Sequence, residues 1–200
     1  AVLMALVNSM SQTITILSFG LFALFLFLLK IDSSYFAFLP NVYVYLVLLF
    51  LLILLVFYFS TPFFARFLRK REFAKKFRKE LSDLALVSNK KLLLAFFISA
   101  LRYFVICLQY YLLLLFFQVE ISLCEALIAI LINYMLITIT PSVGASDLVV
   151  RGSLALLSFQ YFTENVVAVV VTGMFLWIIN FVVPMLVGSI FFVKKESGNE

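Results

Sequence analysis

The stretch Thr138–Gly152 reads T-I-T-P-S-V-G-A-S-D-L-V-V-R-G. Apolar runs flank it on both sides, and here their pattern breaks. Pro141, Ser142, Gly144 and Ser146 fall close together, followed by an acid and a base, Asp147 and Arg151, four residues apart. Irregular backbone at membrane depth survives only where protein buries it or where it lines a wet cavity. An ionisable residue at that depth is a functional-site hypothesis by default. Pro141 has no N–H and stops the incoming helix, and Gly144 permits the return. Ser146 or Asp147 can cap the next helix, where its dipole favours negative charge. Arg151 then shares a face with Asp147 in the favourable acid-first order.

Composition places this break in a membrane. The hydrophobic fraction is 66%, against roughly 45–50% in soluble domains. There are too few polar residues to coat a soluble bundle. The net charge of +5 is no nucleic-acid signature, because ten of the fifteen bases fall within Thr61–Lys91, beside membrane spans. The absence of His removes His-based triads and most zinc sites. Cys107 and Cys124 have no CxxC spacing and read as buried thiols. No Walker A, GxSxG or dinucleotide glycine pattern occurs. The chain is therefore read as a non-enzyme without a cofactor or a nucleic-acid partner. It begins at Ala1 without a charged leader, and no signal peptide is read there.

Outward from the break, the apolar runs set the architecture. The first span is Met10–Leu29, with a possible start at Val2, and polar residues in its first half suit helix contacts. The second, Val42–Phe59, is nearly featureless and reads as lipid-facing. The segment 61–91 reads as a cytoplasmic basic amphipathic helix, a topology anchor in preference to an anionic-lipid sensor. A third span, Leu92–Phe117, carries Arg102 about 15 Å deep at helical rise, with Gln109 two turns further on the same face. So deep a charge needs a partner, a wet cavity or a lipid phosphate. Ser122 and Glu125 form a capping box at the start of a fourth helix ending near Ile139, so Glu125 is a cap. Leu148–Phe159 is either a thin tilted crossing or half of a re-entrant hairpin. Val166–Val193 is the last run, containing Asn180 and Pro184, and Lys194 and Lys195 stop it. Residues 196–200 read as a disordered tail. The expected fold is all-α: a polytopic transmembrane helical bundle, one membrane domain over 1–200, with about six membrane segments and a broken or re-entrant hairpin around 123–159. Both termini are expected on the cytoplasmic side.

Three strings carry a resemblance: S-A-L-R-Y-F-V-I-C-L-Q-Y-Y-L-L-L from Ser99, T-P-S-V-G-A-S-D-L-V-V-R-G-S-L-A-L from Thr140, and L-W-I-I-N-F-V-V-P-M-L-V-G-S from Leu176. They resemble the flippase-like membrane domain of the lysylphosphatidylglycerol synthase family. Family domains are longer at the front, so the chain is similar to their rear two-thirds. The matching positions are Ser99, Arg102, Tyr103, Gln109, Pro141, Gly144, Arg151, Trp177, Asn180, Pro184 and Gly188. Many members have a glycine pair after the proline and a Glu after the arginine; here Gly152 takes that Glu position, and Asp147 offers a carboxylate one turn earlier. The resemblance implies a bacterial inner-membrane protein that moves a phospholipid or related amphiphile between leaflets, with anionic headgroups as its partners. Arg102, Arg151, Asp147, Gln109 and Asn180 are the candidate substrate-binding residues. Pro141, Gly144 and Pro184 are the structural breaks. The competing expectation is a structural or accessory subunit whose polar residues only lock helices together.

Overall fold

The computed structural model describes residues 2–30, 40–68, 82, 84–142, 146–186, 188 and 189. All regular structure among them is helical. In chain order the helices are α1 (Val2–Lys30), α2 (Pro40–Phe59), α3 (Thr61–Leu68), α4 (Asn89–Phe116), α5 (Leu123–Ile139), α6 (Ser146–Phe159) and α7 (Val166–Trp177). A π-helical turn, Ile178–Val182, continues α7. The basic stretch 69–81, Gly144 and the tail 196–200 lie outside the described residues.

A spanning helix needs about 20 apolar residues. Met4–Leu29, Asn89–Phe116 and Val166–Leu186 meet that requirement, and α2 with α3 makes a fourth if their 59° bend is counted within one span. The α5 and α6 helices, 17 and 14 residues long, fall short of it. The fold is thus an all-helical one with three or four apolar helices able to cross a bilayer by length and composition. Large apolar side chains cover their outer faces: Leu94, Phe97, Ile98, Leu101, Phe104 and Val105 on α4 are exposed. Such a surface suits hydrocarbon, not water.

The chain divides into two compact units, Ala1–Ile106 and Cys107–Glu200. In the first, α1 packs on α2. Ser11, Thr15 and Ser18 are buried at helical spacing along α1, as expected for small polar residues between membrane helices. The hydroxyls of Ser11 and Thr15 donate to backbone carbonyls one turn back, Val7 and Ser11. Asn8, Ser9 and Thr13, read from sequence as the same interface, are exposed instead. Most of α2 is exposed, but Tyr58 is buried at its end. Its hydroxyl donates to the Leu92 carbonyl at 2.9 Å and lies 2.6 Å from the Ser11 hydroxyl. Thr61 and Ala65 of α3 are buried, whereas Phe63, Phe64 and Phe67 face outward.

In the second unit, Tyr110 and Leu114 of α4 are buried with Ala126, Ala129 and Ile130 of α5 and Ala155 and Phe159 of α6. Tyr110 stacks on Phe159 at 5.7 Å and meets Tyr134 edge-on at 6.2 Å. Small residues bring α6 and α7 together: a Cβ added at Gly152 would touch Val170 at 3.6 Å, and one at Gly173 would touch Ala155 at 4.0 Å. The α4 helix ends at Gln118 (φ 56°). Val119 N–H donates to the Leu114 carbonyl and Gln118 N–H to that of Leu115, the paired bonds of a Schellman close with Gln where Gly is usual. Ser122 caps α5 by accepting from Glu125 N–H, and its hydroxyl donates to the Glu125 carboxylate at 2.7 Å. The expected cap role of Glu125 therefore holds, with the carboxylate turned to the serine hydroxyl. Cys107 is buried as read from sequence; Cys124, in the first turn of α5, is exposed.

Candidate functional site: a cavity at the Pro141 break

Pro141 ends α5 as its chemistry dictates. The helix stops at Ile139, and Thr140 is extended at φ −91° and ψ 108°, the conformation a following proline imposes. The next helix, α6, begins at Ser146 with Asp147 in its first turn. Two donors converge on that carboxylate. The Ser142 hydroxyl donates to Oδ1. Arg151 Nε donates to Oδ2 at 2.8 Å. The N-terminal dipole of α6 adds to their effect. The Trp177 indole, at the end of α7, lines the same cavity. Arg151 and Asp147 side chains keep only 27% and 17% of their exposure, so this is no freely solvated surface pair.

These groups line a cavity of about 760 Å³ with Ile137, Thr140, Pro141, Phe181, Val182 and Met185. Trp177 and Phe181 lie parallel along its wall, centroids 6.2 Å apart and 3° from coplanar. One corner is thus ionic and most of the wall is apolar. Arg151 spends only Nε on Asp147; among the described residues, nothing accepts a hydrogen bond from its two terminal nitrogens. A guanidinium held this way still presents its outer fork.

Pro184 shapes the wall beside it. Without an N–H, and with its ring crowding the carbonyl one turn back, proline disturbs the α-helical ladder. The turn before it widens, so that Val183 N–H reaches the Ile178 carbonyl five residues back. Asn180 sits in that widened turn. Its amide donates to Gln109 Oε1 on α4 and to the Leu176 carbonyl, both at 3.1 Å.

Four of the five candidate residues form two pairs, and the fifth, Arg102, pairs with Gln12. Asp147 and Arg151 meet each other and the cavity. Gln109 and Asn180 meet each other and are not among the cavity's lining residues. Arg102 belongs to the first unit, where Nη1 donates to Gln12 Oε1 of α1 at 3.4 Å. Of the expected breaks, Pro141 lies just past the end of α5, whereas the helix runs on through Pro184 after a π turn, and Gly144 lies outside the described residues. Sequence reasoning gave no role to Ser142 and took Trp177 only as a matching position. A signal did exist for Trp177: the sole tryptophan, within an apolar run, needs an acceptor for its N–H. Among the described residues no group of three or more His, Cys, Asp or Glu is placed to hold a metal. Comparison with protein-family models, curated proteins and solved structures gives no match.

Proposed function

We infer that this is an integral membrane protein that moves a phospholipid or related amphiphile between leaflets, using the cavity at Arg151 as a headgroup site. The observation that carries the reading is the pairing at Arg151. Asp147 holds Nε, and among the described residues nothing accepts a hydrogen bond from the terminal nitrogens, in a cavity whose wall is mostly apolar. A lipid phosphate offers the acceptors this fork lacks. The aromatic and aliphatic wall of Trp177, Phe181 and Met185 suits the acyl or glycerol part of the same molecule. Asp147 holds and orients Arg151 through Nε while the site is empty. In this reading α1, α2, α4 and α7 cross the bilayer and α5–α6 form a re-entrant hairpin with Pro141 near its tip. The basic segment 61–91 and both ends then lie in the cytoplasm, as in the inner-membrane family that the three strings resemble.

The accessory-subunit reading draws on the other two pairs. Gln109–Asn180 and Arg102–Gln12 join helices through side-chain bonds, and such bonds are ordinary helix glue worth about 0.6 kcal/mol each. A leaflet-resolved assay separates the two readings. Purified chain in vesicles of phosphatidylcholine and fluorescent phosphatidylglycerol should expose the inner-leaflet pool to an impermeant quencher. Exposure no faster than in protein-free vesicles would leave the accessory reading standing.

A further inference from the structure

Arg102 lies thirteen residues after Asn89 and fourteen before Phe116, at the middle of a 28-residue apolar helix. At about 1.5 Å per residue, each end is about 20 Å away. Snorkelling to a headgroup from there is costly, because it needs the full length of the side chain together with local thinning of the bilayer. Yet Arg102 is exposed, and its neighbours Ile98, Leu101, Phe104 and Val105 are 55–62% exposed. Its hydrogen bond to Gln12 spans 3.4 Å and uses one of five donors. A guanidinium at bilayer centre with one long bond costs several kcal/mol.

We propose that this face of α4 docks a membrane-spanning helix of another protein that carries a carboxylate at mid-depth. Charge complementarity selects that occupant. A buried ion pair removes the cost of both charges, whereas an apolar helix would leave Arg102 uncompensated. A second copy of this chain is a poor occupant. A symmetric contact would bring Arg102 against its own like charge, and Asp147 is already held by Ser142 and Arg151. The proposal does not rest on lipid transport, which involves Arg151.

The probe is a synthetic leucine-based membrane helix with one central Glu, and an all-leucine control. Energy transfer in vesicles should show the Glu helix associating with the chain about tenfold more tightly than the control. That preference should vanish for Arg102→Leu. For Arg102→Glu it should pass to a helix with a central Lys. Equal association of the Glu helix with wild type and Arg102→Leu overturns the proposal. A second measurement uses the chain alone. Without its partner, Arg102→Leu should resist unfolding by detergent better than wild type, because an uncompensated charge has gone. Easier unfolding of Arg102→Leu would make Arg102 a brace for Gln12 within the chain and would also overturn the proposal.

Discussion

Tyr58 stands where α2 ends and the chain bends into α3, and its hydroxyl meets both α1 and α4. It is 1% exposed, donates to the Leu92 carbonyl and meets the Ser11 hydroxyl. Three helices therefore share one oxygen. Tyr58→Phe keeps the ring, including its contact with Phe96 at 6.2 Å, and removes only that oxygen. A buried partner left unsatisfied costs about 1–3 kcal/mol. Unfolding in mixed micelles should show a loss in that range; a change under about 0.5 kcal/mol would mean that the hydroxyl is idle. The same reasoning explains the pair at Asp147. Ser142 supplies what a lone i,i+4 ion pair lacks, namely a further donor that fixes the carboxylate. Arg151 is oriented by that acid without being saturated by it.

Among the elements, the widened turn Ile178–Val182 is the feature with the clearest cause and a measurable consequence. Pro184 opens the turn, and Asn180 then reaches Gln109. Pro184→Ala allows the turn to close to regular α-helix, which rotates Asn180 away. A double-mutant cycle of Gln109→Leu and Asn180→Leu should give about 0.6 kcal/mol of coupling in the native background. With Pro184→Ala the coupling should fall to zero; an unchanged value would remove proline as the cause. Helix ends were legible wherever a residue's own chemistry sets them. Ser122 starts α5, Pro141 ends it, and the apolar runs mark α1, α4 and α7. What escaped sequence reading depends on contacts distant in the chain. Gln12 and Arg102 are 90 positions apart, and no local pattern joins them. Gln118 in the left-handed region gives no warning either, because glycine is the usual signal there. The charge pair at Asp147 and Arg151 was legible from its spacing, whereas Trp177, which lines the same cavity, comes from another helix.

At the scale of the whole molecule, many Leu and Phe side chains among the described residues are exposed and suit lipid, while polar pairs lie between helices within each unit and at the Pro141 break. Apolar run length alone suggests about six segments. Helix length distinguishes three or four long ones from the shorter α5 and α6, because the Pro141 break divides that region before either helix reaches spanning length. Those two short helices hold the ionic corner of the cavity, which ties the account's architecture to its function. Lipid movement through Arg151 predicts an asymmetry between the partners. Asp147→Asn should keep a substantial share of transport, because the fork can still bind phosphate. Arg151→Ala should lower it at least tenfold. A brace, by contrast, would treat both partners alike and tolerate their exchange. The most direct measurement is leaflet-resolved transport of phosphatidylglycerol by the purified double variant Asp147→Arg with Arg151→Asp, compared with wild type. The account predicts a folded protein whose transport stays near the protein-free rate, because the fork no longer projects from position 151. Transport restored to the wild-type rate would contradict it.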